Sequence, residues 1–589
     1  MFGDRQRRRS PAEQIQILRA ALDAIAACAP GIERHAALVS VLLSAGELVQ
    51  GLADAAFDTQ GCDRQDPASG AAMRVTVALG RAVWRSHGIG YAATPADLGD
   101  VAASLNEVER LAGAALEQAV TVRSAEGFQH YAVYPEAYAL AAAAAFPGRA
   151  APLVVGIRTI GATLAAAVAG AASDPGLPLT VRPIGHPFER RLSLGDDVAQ
   201  VLAAARGRPV AVVDEGPGLS GSSFGAVLDA LEAAGVPESD ARIFPSHGGG
   251  LGAAATPRNE ARWQRVRRLY VPFEEAFLNA SPEGPGLAAW LRDLTGPLDE
   301  PPEDVGAGGW RRLHWPEPRW PPAIAMRERR KYLLRAGGQR FLARFAGLGE
   351  AGQAAAARAQ ALGEAGLSPP VLGIRHGFLL TRWVEGARPL WPARGGLPGA
   401  ELIARVGAYL AFRADSFATD VGRGAAPDAL LEMTVLNAAE GGCPDAARAI
   451  ERFADWTPAL ARAARPIAVD ARLHAWEWLL LPDGRLWKTD AADHCDAHDP
   501  IGCQDLAWDV AGAAIELELD AGERAALARA LAARGHPVDP QPLQFYTAAY
   551  LAFQLALHAT GAAAAGEPGE AARLATATDR YRRLLGSVL

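Results

Sequence analysis

The sequence predicts a multidomain α/β protein, and three observations carry that prediction. Residues Arg208 to Gly235, RPVAVVDEGPGLSGSSFGAVLDALEAAG, read as a buried strand, a glycine-rich loop and a helix, the repeating unit of a parallel sheet covered on both faces. Pro152 to Gly170, PLVVGIRTIGATLAAAVAG, repeats that layout upstream. Beyond a connector rich in Pro, Gly and Trp, short paired strands are followed by long helical runs, an α+β layout of a different kind. A helical N-terminal region precedes them all, and 589 residues are too many for one core, so three or four domains are expected.

Composition excludes several classes. Half the residues are hydrophobic, enough for well-packed cores, and the net charge of −8 argues against a general nucleic-acid partner. Five cysteines make no disulfide framework, so a reducing cytoplasm is the expected compartment. The basic start MFGDRQRRRS is not followed by an apolar signal segment. The most apolar stretches, near Ala139 to Phe146 and Leu153 to Ala172, are too short or are interrupted by Arg158, so no membrane span is expected.

From Pro11 to about Val120, apolar residues recur three and four apart, which predicts a helical cap over residues 1–120 with a polar loop at DTQGCDRQDPASG. Glu33, Arg34, His35, Glu47 and Gln50 lie on or near these helices. Solvated helix faces explain them as well as an active site does. Ser124 to Tyr138 read as a short aromatic strand and a helix that begin the sheet of a second domain, residues 121–255.

That sheet carries the chemistry. The strand Pro209 to Val213 ends in Asp214 and Glu215, and a strand's carboxyl end faces the ligand crevice. In the loop, Gly216, Gly218, Leu219, Ser220, Gly221 and Ser222 combine three glycines with two hydroxyls, so backbone amides can approach a phosphate. The helix after it has Phe224, Val227, Leu228 and Leu231 at helical spacing, stops at Gly235, and offers its positive end to the same anion. The upstream loop supplies Arg158, Thr159, Ile160 and Gly161; the segment between the units supplies Arg182, His186, Arg190 and Arg191; the strand ARIF ends near Ser246 and His247.

The strand, acid pair and loop resemble the ribose-phosphate signature of the type I phosphoribosyltransferases. The resemblance implies that Asp214 and Glu215 hold the ribose hydroxyls of phosphoribosyl pyrophosphate (PRPP), and that Gly216 to Ser222 surround its 5′-phosphate. It further implies that Arg158 to Gly161 hold the pyrophosphate and that a mobile basic segment with Arg182 and Arg190 closes over it, with Mg²⁺ on the oxygens. Gly218 and Leu219 depart from the family, which has Thr or a similar residue there.

Residues 256–320 read as a linker, whose Trp310, Trp315 and Trp320 pin it to a neighbour. Residues 321–589 then show paired strands joined by AGG, a helix, a further strand and, far downstream, RLHAWEWLLLPDGRLWKTDAADH and IGCQDLAWDV. This order resembles the aminoglycoside phosphotransferase branch of the protein-kinase-like fold, which implies a bilobal domain with Asp490 as the metal-binding Asp. By the same resemblance Arg344 stands at the strand lysine, Arg472 at the catalytic Asp, and Glu477 at the second metal-binding Asn, while His474 fits the loop and Asp470 is a substitute base. Glu477 and Asp490 are then the Mg²⁺ ligands and ATP or another nucleotide the partner. His494, Cys495, His498 and Cys503 have zinc-ligand chemistry at a spacing that fits no standard site.

The expected function is transfer of phosphoribose from PRPP to an unidentified small-molecule acceptor, with a divergent kinase-like domain that binds a nucleotide or phosphorylated ligand. The rivals are a non-catalytic PRPP- or nucleotide-binding regulator and a bifunctional transferase and small-molecule kinase.

Overall fold

A computed structural model describes residues 5–92, 98–148, 151–172, 176–278, 284–392, 394–497 and 499–588. At its centre is a five-stranded, all-parallel sheet in the order Leu179–Val181, Leu153–Ile157, Val210–Val213, Ala241–Phe244, Arg267–Arg268. Val210 and Val212 point to one face, against Phe224, Leu228 and Trp263. Ala211 and Val213 point to the other and join a core that includes Leu42, Ala165 and Phe244. A strand with both faces buried needs an unbroken apolar run, as its sequence has.

The N-terminal helices Pro11–Ala27, Ile32–Gln60, Pro67–Gly88 and Leu98–Ala112 lie where the periodicity puts helices. They do not form a separate cap. Pro67–Gly88 packs on Gly161–Ala171, which lies directly on the sheet, and the approach is very close. A Cβ on Gly80 would lie 2.6 Å from the Ala166 carbonyl oxygen, and one on Gly170 2.5 Å from the Arg81 amide nitrogen. Ile32–Gln60 is long and apolar enough to cross a membrane, a property the sequence reading overlooked, yet 72% of its most apolar window is buried inside the protein.

The expected aromatic strand is absent. Val120–Ser124 forms the strand instead and pairs antiparallel with Arg5–Arg9, outside the parallel sheet. Phe128 and Tyr134 are buried from a short helix and the turn after it. Packing of large rings overrides their strand propensity. The expected linker 256–320 is also structured, since Arg267–Arg268 is the sheet's edge strand, Glu303–Asp304 pairs with Lys331–Ala336, and Phe273, Phe277 and Trp290 are core residues. Trp320 stacks under Arg311 at 4.7 Å and Arg573 at 5.5 Å, so this segment is fastened to the C-terminal helices.

The C-terminal part has two lobes. The first is an antiparallel sheet, Glu303–Asp304, Lys331–Ala336, Gln339–Phe345, Phe378–Arg382, Val371–Arg375, with the helix Gly349–Glu364 beside it. Its first hairpin turns through Gly337 and Gly338, both with positive φ (57° and 73°), as a two-residue hairpin turn requires. The second lobe is helical, with a small sheet of Arg388–Pro389, Trp478–Leu480 and Leu486–Lys488 and a separate core around Trp508 and Tyr550. Tyr332, Phe345 and Phe378 of the first lobe share one continuous core with the N-terminal helices.

In the second lobe His558 is buried, its Nδ1 2.8 Å from the Gln554 carbonyl oxygen, with His474, Glu516 and Arg472 around it; burial pushes its pKa down to about 4. Because the folded pKa lies below the unfolded value, the unfolded chain takes up the proton first as pH falls. Stability from this group is therefore present above about pH 6.5 and lost towards pH 4, by up to about 1.4 kcal/mol per unit. Urea midpoints at pH 7 and pH 5 should drop less for His558→Gln than for the wild type; equal drops would assign the effect elsewhere. Independently, Gly80→Leu should lower stability by about 1–3 kcal/mol through overpacking, read as a lower thermal midpoint. An unchanged midpoint would mean that the two helices can part without cost.

Candidate functional site

Two cavities hold the candidate residues. The first, of about 660 Å³, opens at the carboxyl ends of the parallel strands. Asp214 and Glu215 line it. The Asp214 carbonyl accepts from Tyr138 Oη at 2.9 Å, and Asp214 Oδ1 accepts from the Glu215 amide at 2.9 Å. Glu215 Oε2 accepts from the Gly127 amide at 3.0 Å, and a Cβ on Gly127 would stand 2.6 Å from that oxygen, so any side chain there would push the Glu215 carboxylate aside. Gly127 was not picked out in the sequence; only its partner identifies it.

The loop after the acids is only partly in the cavity. Gly216, Gly218 and, unexpectedly, Ser223 line it. Leu219 points outward, 62% exposed. Ser220 and Ser222 are buried, 2.9 Å apart through their hydroxyls, and Ser222 Oγ donates to the Pro187 carbonyl at 2.8 Å. The Ser222 amide donates to Ser220 Oγ and the Gly221 amide to the Pro217 carbonyl. Of the loop expected to surround a 5′-phosphate, Ser220, Gly221 and Ser222 are thus not among the residues lining the cavity, and both hydroxyls are used internally. They fasten the loop to the basic hairpin Ile184–His186/Glu189–Arg191, which contains Arg190 and whose turn holds Pro187.

Arg158 is also redirected. It lines the cavity, but its guanidinium is buried between two carboxylates of the helical region, Nε 2.9 Å from Asp54 and Nη2 paired with Asp63. Arg182 pairs with Asp54 too, and its amide donates to Asp63 at 2.8 Å. Burial disfavours both carboxylates. At Asp54 the two arginines outweigh it and hold the pKa below the usual range, whereas at Asp63 burial wins and raises it. Gly161 serves packing, since a Cβ there would meet the Val213 carbonyl oxygen at 2.7 Å. Thr159, Ile160, Arg190 and His247 line the cavity. Burial, with Arg182 nearby, lowers the pKa of Arg190, and burial lowers that of His247, whose Nδ1 accepts from the Gly249 amide at 3.1 Å.

The second cavity, about 290 Å³, lies between the two C-terminal lobes. Asp490, in a left-handed conformation (φ 53°) after Leu486–Lys488, faces it. Arg344 Nη1 is 3.0 Å from Asp490 and 3.1 Å from Asp493, Lys331 Nζ is 3.3 Å from Asp490, and Arg329 Nε is 2.7 Å from Asp493. Burial opposes the Asp490 charge, but Lys331 and Arg344 hold its pKa well below the carboxylate range. Arg329 and Lys331 are not among the residues the sequence singles out, since MRERRKYLLRAGG reads there only as the first of two paired strands. Glu477 pairs with the buried Lys488 at 2.8 Å, and His474 stacks on Trp476 at 4.3 Å with Nδ1 3.2 Å from Glu516.

Asp470 is not placed where a substitute base would face the cavity. It is fully buried, held by Tyr409 and by Lys488 at 3.3 Å, and is not among the residues lining the cavity. The Asp509 carboxylate receives the amides of Asp470 and Ala471 at 2.8 and 2.9 Å, so these acids brace the loop. Arg472 does line the cavity, 3.9 Å from Asp499, a carboxyl that also lines it and that burial raises above its usual pKa. For zinc, His494 Nδ1 lies 2.9 Å from the Asp470 carbonyl oxygen and Cys495 is hydrogen-bonded to Cys503, both thiols buried; His498 lies outside the described residues. The described members of that set do not converge on one point.

No protein-family model matches the chain, and no curated protein matches it. Among solved structures it is similar to the choline kinase LicA of Streptococcus pneumoniae, at 14% identity over 43% of this chain and 89% of that one with a TM-score of 0.30. It is also similar to a type I macrolide 2′-phosphotransferase, at 15% identity over 48% of this chain and 92% of that one with a TM-score of 0.32. A thermostable mutant of the aminoglycoside phosphotransferase APH(4)-Ia is a third, at 16% identity over 44% and 90% with a TM-score of 0.28.

Proposed function

We propose that the protein is a two-site transferase in which the parallel-sheet crevice binds PRPP and the interlobe cavity binds a nucleotide. The observation that carries the first part is the meeting, at one sheet edge, of the Asp214–Glu215 pair, the loop that follows it and a basic hairpin docked on that loop. Sheet edges of this kind are ligand crevices. In this reading the two carboxylates hold the ribose hydroxyls, and Arg190 on the hairpin faces the pyrophosphate. The C1–O bond to pyrophosphate breaks as a bond from C1 to the acceptor forms. Charge on the leaving group is the main demand, met by positioned donors and cations. Arg158 acts at one remove, because its charge is already matched by Asp54 and Asp63. The acceptor is a small molecule of unassigned identity.

The second part rests on Arg329, Lys331 and Arg344 converging on one cavity with Asp490 and Asp493. Over the whole lining seven arginines and lysines face five carboxylates, which leaves positive charge for a polyphosphate. Asp490 and Glu477, oxygen donors facing the same space, fit magnesium, which takes one or two carboxylates plus substrate phosphates. Bound there, the ion would neutralise charge on the transferred phosphoryl group. Arg472 cannot accept a proton, and Asp499 beside it is the carboxyl placed to do so. The cavity is therefore read as a nucleotide site with slow phosphoryl transfer.

Calorimetry with PRPP and Mg²⁺ should show binding by the wild type and a loss of about 100-fold or more for Asp214→Asn with Glu215→Gln, at unchanged thermal midpoint. Equal binding by the double variant, or none by the folded wild type, would sink the PRPP reading. Binding without pyrophosphate release, over a screen of bases, amines and small metabolites, would make the crevice a sensor. In the interlobe cavity, Lys331→Met should weaken a fluorescent ATP analogue at least about 10-fold, the loss of one charge-assisted contact. No binding of the analogue by the wild type at millimolar concentration would remove the nucleotide reading while leaving the PRPP result intact.

A further inference from the structure

We propose that His35, Glu136 and His376 form a buried structural site for a divalent transition metal, with zinc the ion their chemistry matches. The three residues come from distant parts of the chain. His35 lies on the helix Ile32–Gln60, Glu136 on the helix Pro135–Ala145, and His376, in a left-handed conformation (φ 44°), at the turn between Val371–Arg375 and Phe378–Arg382. Their side chains are 0%, 0% and 1% exposed. One ligand atom from each lies within 4.8 Å of the others, with both Nε2 atoms 2.8 Å from the same carboxylate oxygen, Oε1 of Glu136.

As a hydrogen-bonded triad the arrangement is incomplete. Oε1 would accept from both imidazoles, while Oε2 of Glu136 and Nδ1 of His376, both buried, have no partner. Glu136 is thus engaged through one oxygen only, and its buried second oxygen has no partner. A dication at the point where the two Nε2 atoms and the carboxylate meet completes the contacts of Glu136. It neutralises the charge and engages the second oxygen, so three residues supply four donors, two nitrogens and two oxygens, the number a closed zinc site takes. Ligation at about 2.0–2.1 Å calls for small shifts of these side chains.

The surroundings suit ligation. Ser86 Oγ stands 3.0 Å from Nδ1 of His35, where it would accept that N–H once Nε2 binds a metal, fixing the tautomer. Tyr134 Oη donates to the His376 carbonyl at 2.8 Å and holds the turn in place, and the Trp290 ring meets His376 edge-on at 4.8 Å, closing the site to water. No open position faces either cavity, and none of the three residues lines one. The ion would be a clamp that ties the helical region to the antiparallel sheet, independent of what either cavity binds.

The test uses the full chain, stripped with chelator and then titrated with zinc, and separately with cobalt. We expect one equivalent bound per chain, a cobalt absorption spectrum typical of a four-coordinate nitrogen and oxygen site, a thermal midpoint raised by zinc, and at least 100-fold weaker binding in His376→Gln and Glu136→Gln. The wild-type cobalt spectrum is decisive by itself if either variant misfolds. The proposal is overturned if the stripped wild type takes up no stoichiometric metal, which would leave a hydrogen-bonded triad only. It is overturned equally if one equivalent binds but survives both variants and is lost in Cys495→Ser with Cys503→Ser.

Discussion

A parallel sheet has to be covered on both faces, and the rest of this structure follows from that constraint. One face of the five-stranded sheet is closed by Ser222–Ala233 and Pro257–Arg265, around Phe224 and Trp263. The other is closed by Gly161–Ala171, whose own outer surface is almost entirely apolar and buried. A helix apolar all round cannot be an outer layer. The N-terminal helices therefore form a third layer on top of it, admitted by Gly80 and Gly170, and their far side becomes the bed for Tyr332, Phe345 and Phe378. The N-terminal region, the sheet and the first C-terminal lobe are thereby one hydrophobic body.

Charge is arranged in the same economical manner at both cavities. Each cationic wall is matched in advance by carboxylates of the protein: Arg158 and Arg182 by Asp54 and Asp63, and Lys331, Arg344 and Arg329 by Asp490 and Asp493. Removing one partner of such a buried pair leaves an uncompensated charge and costs about 3–5 kcal/mol. An anionic ligand must therefore share these cations or displace their carboxylates. Arg190 lines the first crevice, where burial and Arg182 lower its pKa, so an anion beside it would favour its charged form.

The legibility of the sequence divides along the range of the interactions. The run Val210–Val213 with its terminal acids, the helix begun at Ser222, the hairpin through Gly337 and Gly338, and the placement of Asp490 after an Asp-Gly turn are local patterns, and local patterns are visible in a sequence. The partners of Arg158 are not, for Asp54 and Asp63 lie 104 and 95 residues away, on a region that reads as an independent cap. Lys331 and Arg329 were hidden for another reason: in a charged run, nothing local says which member pairs with Asp490 or Asp493 and which faces the other cavity. Asp470 shows the converse error. An acid near a catalytic-loop pattern attracts a chemical role, whereas its burial beside Tyr409, Lys488 and Asp509 gives it the work of holding the loop.

The two cavities are not isolated from one another. Tyr131 lines both, and burial raises its pKa to about 12, so its hydroxyl is a neutral donor on either side. The consecutive residues Arg329 and Arg330 face one cavity each, the first pairing with Asp493 and the second with Glu274. Arg329 also donates to the Gln129 carbonyl, next to the residues that carry Gly127 and Tyr131. Gln129 and Gly127, whose amide holds Glu215, lie on the same short helix, Glu126–Gln129. That one helix therefore touches a carboxylate of the first cavity through the Gly127 amide and a cation of the second through the Gln129 carbonyl.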